Sequence, residues 1–254
     1  MNLQKILFFF FICMINFLSS QDLKSNYVCT YKLDYIINGK KENEQFIMYI
    51  DAKNKRSFFQ SSINYAKDTI DIKDPMQLAN YESDFNEKVL FDKNSFKVFE
   101  TVMDAKLSYS ENQKLSWIIL DKIKKEESVT MQLAKTNAYG RTWYAWFSKD
   151  IPIDFGPYKF NGLPGFIVSL YDEKKKFVFT LQKFKKKNKT LKLPNPKNYK
   201  NILKNAFNKS RFKIQTADSG VIIFNNAKER ENWMKKLEER YIVSPLLDIE
   251  FPIK

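Results

Sequence analysis

The chain contains no histidine among its 254 residues. That absence excludes Ser–His and Cys–His nucleophile activation, imidazole general-base catalysis and histidine-bound zinc or iron. Cysteine occurs twice, at Cys13 and Cys29, too few for a disulfide framework or a thiolate metal site. With six glycines and eight prolines, most turns must be made by Asn, Asp and Lys. No P-loop, dinucleotide fingerprint or metal-ligand spacing occurs, so neither a metal nor a cofactor is expected. Aromatic and basic residues are abundant instead: the chain is 44% hydrophobic and 16% aromatic, with a formal net charge of +14. This size and apolar content support a folded core in one large domain or two small ones.

The N-terminus carries Lys5, then an almost wholly apolar run from Ile6 to Leu18, then Ser19-Ser20-Gln21. A positive start, an apolar stretch of about 7–15 residues and small residues after it describe a secretory leader over residues 1–20. The run is short for a membrane span of about 20 residues, so no transmembrane segment is expected after cleavage. Cys13 lies inside the apolar run rather than at its end, which argues against lipidation. The remaining chain, residues 21–254, then holds one cysteine, Cys29, on an apolar stripe where a thiol acts as core filler.

From Tyr27 to Ile37 the pattern has period two, with Tyr27, Cys29, Tyr31, Leu33, Tyr35 and Ile37 on one face. That is a half-buried strand. Asn38-Gly39 follows, and Phe46, Met48 and Ile50 resume the alternation, predicting a hairpin with a loop longer than two residues. Further β-prone runs are Ser57–Ser61, Ser95–Val102, Lys106–Tyr109 and Leu115–Leu120, while Tyr65–Glu87 reads as loop with a helical turn. Arg141–Ser148 is aromatic on both faces, as expected of a strand that is covered twice or lines a groove. Phe166, Val168 and Leu170 pair with Phe177, Phe179 and Leu181 across a turn at Asp172–Lys175.

Late in the chain the period changes. Tyr199, Ile202, Leu203, Ala206 and Phe207 form a helical stripe. A second helix opens at Asn226 as N-cap, with Glu229 three positions on, carries Trp233, Leu237 and Tyr241 on one face, and ends at Pro245. The expected fold is mainly β with C-terminal helices: a curved antiparallel sheet or half-barrel of about eight to ten strands, its concave face covered by one or two α-helices.

Four of the six glycines (Gly140, Gly156, Gly162, Gly165) fall within 26 residues, with Pro152, Pro157, Pro164, Trp143 and Trp146. Such a cluster fixes backbone geometry. It is either a tightly folded loop without a ligand or a rigid loop beside an aromatic groove. The residues Tyr139-Gly140-Arg141-Thr142-Trp143-Tyr144-Ala145-Trp146-Phe147, then Asp150-Ile151-Pro152, then Gly156-Pro157-Tyr158-Lys159-Phe160-Asn161-Gly162-Leu163-Pro164-Gly165-Phe166-Ile167, resemble the hallmark of the GLPGLI family, with Phe166 where a leucine is usual. The motif spans about 30 residues. A looser similarity extends through the leader, the Tyr27 strand and Ser244-Pro245-Leu246-Leu247. Family members commonly carry a cysteine before the Gly-Arg-Thr-Trp run, where this chain has Met131. The resemblance implies a single GLPGLI-like domain, exported to the envelope of a Gram-negative bacterium: periplasmic, associated with the outer membrane, or extracellular. It implies no catalytic residues, because no activity is established for the family.

Carboxylate-dependent hydrolysis of glycan or peptide needs no histidine; Asp150, Asp154 and Asp172 lie near the motif, but each has a turn or hairpin role by position. Ser148 and Ser169 lack a partner signature. Arg141, one of five arginines against 38 lysines, is placed to stack on Trp143 or to clamp a carboxylate or phosphate, and an ordinary cation–π or salt-bridge lock within the sheet is the favoured role. The expected contact surface is Arg141, Trp143, Tyr144, Trp146 and Phe160, taking a hydrophobic envelope lipid, an extended peptide or an outer-membrane protein; a structural partner of an outer-membrane transporter is a further reading. The lysines from Lys183 to Lys192, expected after a strand, suit a solvated hairpin or anionic lipid headgroups. With a leader present, nucleic acid is not expected as a partner.

Overall fold

The computed structural model describes residues 22–70, 81–218, 220, 222–243 and 246–248. The leader, Cys13, Ser244 and Pro245 lie outside them. The strands in chain order are β1 (Asp22–Ile37), β2 (Lys40–Asp51), β3 (Arg56–Ser61), β4 (Lys88–Asp92), β5 (Ser95–Val102), β6 (Ala105–Glu111), β7 (Ile118–Glu126), β8 (Val129–Ala138), β9 (Arg141–Ser148), β10 (Phe166–Asp172), β11 (Phe177–Lys192) and β12 (Lys200–Asn201). The helices are α1 (Ser62–Thr69), α2 (Lys204–Gln215) and α3 (Ala227–Val243).

All twelve strands form one sheet in the order β12-β6-β5-β4-β3-β2-β1-β11-β10-β9-β8-β7. Pairing is antiparallel except at β12, which runs parallel to β6. The chain is thus mainly β with two C-terminal helices, with more strands than the period-two runs suggested. Alternation drives β1: Cys29, Tyr31, Leu33 and Tyr35 are buried on the inner face. The β1–β2 hairpin differs from expectation. Ile37 pairs directly with Lys40, and Asn38 and Gly39 both have positive φ, at 52° and 72°. That is the tight two-residue turn Asn-Gly favours.

Two other boundaries move. The lysines from Lys183 to Lys192 continue β11 rather than follow it, because β1 is long enough to pair with them as far as Asp22↔Lys192. The expected helix from Tyr199 starts only at Lys204, because the Ile202 N–H is already committed to the Ser108 carbonyl of β6 at 2.9 Å. The α3 start agrees with the sequence: Asn226 Oδ1 accepts from the Glu229 N–H at 2.9 Å, and Glu229 Oε2 accepts from the Asn225 N–H at 2.8 Å.

The sheet is strongly bent. Eight strand steps separate β6 from β9, about 40 Å in a flat sheet. Yet Lys159, in the loop 149–165 between β9 and β10, donates to the Tyr109 hydroxyl of β6 at 3.3 Å and sits 4.3 Å from the ring of Tyr139, at the β8–β9 turn. The sheet curls around that loop, and the main core cluster lies inside the curl. Loop residues Phe155, Tyr158, Phe160 and Leu163 fill it, each buried aromatic or aliphatic side chain contributing about 1.5–3 kcal/mol. The helices cover less of the concave face than expected. From α2, Phe207 reaches inside and packs edge-on against Tyr109 at 4.8 Å. On the outer face, Tyr65 of α1 packs with Leu23, Tyr49 and Phe58.

Candidate functional site

Close approach explains the glycines of the loop. A Cβ on Gly165 would overlap the Ser148 carbonyl, and one on Gly156 would lie 2.5 Å from Ile167 Cδ1. The loop is therefore pressed onto β9 and β10, and it carries Tyr158, Lys159 and Phe160 into the core.

Lys159 is fully buried. Its Nζ donates to Glu111 Oε1 at 2.5 Å and to Asp248 Oδ2 at 2.6 Å. Lys204 at the start of α2 bridges the same two acids, each at 2.8 Å. Burial alone would pull the Lys159 ammonium down, but Asp248 and Glu111 outweigh it and hold it above its ordinary value. Burial likewise raises the Asp248 carboxyl, and Lys159 with Lys204 reverses the sign and brings it to about 2. The rings of Tyr139 and Tyr158 lie 4.3 and 4.9 Å from the ammonium. A buried charge so enclosed is sustained by its partners.

A second buried cation adjoins it. Arg211 of α2 donates from one Nη1 to Glu87 at 2.8 Å and to Glu100 at 3.3 Å, and from Nε to the Tyr241 hydroxyl of α3 at 3.2 Å. Tyr158 donates to the other Glu87 oxygen at 2.7 Å. Burial raises the Glu100 carboxyl; Arg211 draws it back and Glu87 pushes it up again, to about 7. Between these groups lies a cavity of about 80 Å³, lined by Phe46, Phe59, Glu87, Glu100, Tyr158 and Arg211 and closed by Leu246 and Leu247.

Arg141 holds that closing segment. Its two terminal nitrogens donate to the carbonyls of Leu247 at 2.6 Å and Leu246 at 2.8 Å. Its guanidinium lies 4.8 Å from the Phe177 ring, nearer than the 6.0 Å to Trp143. Arg141 thus clamps backbone carbonyls beside the Phe177 ring, a structural lock rather than a clamp on a carboxylate or phosphate ligand.

The five residues expected to form one contact surface are split by strand alternation. Trp143 and Phe160 are core, with ring centroids 4.8 Å apart. Tyr144 and Trp146 point the other way and join Met131 and Leu133 on the outer face; Tyr144 stacks on Tyr171 at 5.5 Å, and Lys124 lies 4.7 Å over Trp146. No groove holds all five. Asp150 accepts from the Thr130 N–H at 3.1 Å, tying the chain after β9 to β8, and Asp172 from the Phe177 N–H at 2.8 Å, holding the β10–β11 turn. Ser148 Oγ accepts from the Asp150 N–H at 3.2 Å. Asp154 is exposed, apart from both buried clusters. Sequence reasoning missed Lys159 and Arg211. Their available signals were a lysine flanked by Tyr158 and Phe160, and an arginine one helical turn from Phe207.

Among the described residues no group of acids or thiols is arranged to hold a metal, and no helix is long and apolar enough to cross a membrane.

Residues 91–169 match a family model described as a protein of unknown function, Porph_ging. The match runs from β4 into β10. It takes in Glu111, Arg141, Lys159 and the Gly/Pro loop, and leaves out Lys204, Arg211 and Asp248. No curated protein matches the chain. Two solved structures of PNGF-II are similar: the P21 crystal form at 14% identity over 76% of this chain and 34% of that one, TM-score 0.50, and the C2 form at 13% identity over 74% and 33%, TM-score 0.50. The chain therefore spans 34% or less of PNGF-II, and the likeness is one of fold. A LolA superfamily protein, NE2245 from Nitrosomonas europaea, aligns at 10% identity over 70% of this chain and 91% of its own, TM-score 0.31.

Proposed function

We propose that this protein is an exported, GLPGLI-like, non-catalytic binding protein of the cell envelope that engages polypeptide partners on the outside of a rigid half-barrel. The observation that carries the reading is the filled interior. The loop 149–165 and the buried Lys159 cluster occupy the concave face, and the cavity beside them is about 80 Å³, against about 300–1,000 Å³ for a typical small-molecule site; the larger clefts, of about 800, 420 and 450 Å³, are open to solvent. Of the partners the sequence left open, this packing favours a peptide or an outer-membrane protein over an enclosed lipid. The test is purification from the native envelope, followed by lipid extraction and quantitation. Lipid far below one equivalent, with a polypeptide co-eluting at constant ratio, is expected. One equivalent of lipid overturns the reading.

A second reading rests on Glu87 and Glu100. Both meet one nitrogen of Arg211 and face the same cavity. Burial holds Glu100 near neutrality, and a raised acid beside a second carboxyl group is the kind of pairing carboxylate hydrolases use. Product release from glycan or peptide substrates by the wild type, lost in E100Q, would establish it; no release by either leaves the binding role.

A further inference from the structure

Strand β11 outruns its neighbour. It pairs with β10 only through Val178, Phe179 and Thr180, whereas its pairing with β1 continues to Lys192. Beyond Leu181 its opposite edge therefore pairs with no strand among the described residues, and the Phe184 ring, 4.8 Å from Phe166 at the start of β10, touches the neighbour. The N–H and C=O groups along that edge are a template for one more strand.

The open length carries Lys183, Lys185, Lys186 and Lys187, none of which forms an ion pair among the described residues. The register divides them between the two faces. Lys183 and Lys185 oppose Thr30 and Val28, and Val28 packs into the outer cluster. Lys186 opposes Tyr27, which packs against the inner core. A flat anionic surface meets one face of a sheet; a strand added in the plane of the sheet meets both. The same lysines repel the β11 of a second copy. The far edge strand, β7, contrasts with this: it mixes Asp121 and Glu126 with Lys122 and Lys125, and so selects no sign of partner.

We propose that the open edge of β11, from Gln182 to Lys187, docks an extended acidic polypeptide segment as an added strand. Main-chain hydrogen bonds hold the segment, and its Asp and Glu side chains meet the lysines on each face. This inference rests on the binding role proposed above and names the chemistry of its partner.

The test uses the whole protein and a short, fluorescently labelled peptide of alternating Glu and Thr pairs. Binding is read by anisotropy, and amide hydrogen exchange is followed at Gln182–Lys187. Expected are saturable binding, slowed exchange along the open edge, and an affinity lower by about tenfold or more in the variant K183E/K185E/K186E, whose circular dichroism is unchanged. The same peptide N-methylated at alternate residues keeps its charge, loses its edge donors and binds weakly. The proposal is overturned by equal binding of the N-methylated peptide without amide protection, by binding to phosphatidylglycerol vesicles but not to the peptide, or by no binding. A polypeptide that still co-purifies with the triple variant would overturn the edge while leaving the broader binding role standing.

Discussion

Lys159 Nζ donates to Asp248 Oδ2 at 2.6 Å across 89 positions of chain. Neither group has access to solvent worth the name: their side chains are 0% and 4% exposed. The Gly/Pro loop and the segment after α3 are thus joined by a bond inside the core, and Arg141 holds the same segment by its carbonyls.

Removing one member of that pair leaves its partner's charge buried. Asp248→Ala is expected to lower unfolding stability by about 3–5 kcal/mol, the range for a broken buried ion pair. Urea denaturation measures it. A loss under about 1 kcal/mol would mean that Glu111 and Lys204 suffice without Asp248.

Gly165 is pressed against the Ser148 carbonyl, a backbone atom that cannot yield. Gly165→Ala is expected to destabilise by at least about 3 kcal/mol, or to abolish folding. At Gly39 a Cβ meets nothing within 4 Å, so Gly39→Ala is expected to cost only about 1 kcal/mol, from its positive φ. Thermal melts of both variants should rank them in that order.

Stability should fall as pH rises through neutrality. Glu100 titrates at about 7 in the fold and near ~4.3 in an unfolded chain. The folded state holds that proton more tightly, so the contribution is complete below ~4.3 and lost as pH climbs through about 7. The chain has no histidine to titrate in the same window. Urea midpoints between about pH 5 and about pH 8 should decline in the wild type and flatten in E100Q. Asp248 acts with the opposite sign: with its carboxyl held at about 2, its contribution is present above ~4 and lost in stronger acid. A wild-type midpoint that rises over the neutral range contradicts the first assignment.

Cys29 should be chemically silent. Its side chain is fully buried and unpaired, and burial pushes the thiol well above its ordinary value. A thiol reagent at mild alkaline pH should label it no faster than the protein unfolds. Rapid labelling of the folded protein would place the thiol outside the core.

Much of this architecture is legible from residue spacing. β1 announces itself by alternation, because a one-residue slip would turn a buried face to water, and β9 by aromatic residues on both faces, the mark of a strand covered twice. The α3 start follows from Asn226 and Glu229, since a cap is a contact between near neighbours. What stays hidden depends on distant partners. Nothing about Tyr199–Phe207 reveals that the backbone of Ile202 is taken by Ser108 of β6. Arg141 was noticeable by scarcity, yet the carbonyls it holds lie more than a hundred residues away. Lys159 reads as an ordinary basic residue until Glu111 and Asp248 are brought to it from 48 and 89 positions off. The expected aromatic surface dissolved for a local reason: Trp143 and Tyr144 are adjacent, so a strand must send them to opposite faces.

The pairing of β1 with β11 has a bearing on biogenesis. The first described strand finds one of its two neighbours in Phe177–Lys192, so a nascent chain emerging from its N-terminus cannot close the middle of the sheet until that late stretch has been made. Until then β1 can complete only its hairpin with β2. Delayed closure leaves two separate meanders, β1–β6 and β7–β10, to form from neighbouring strands before β11 joins them into one sheet.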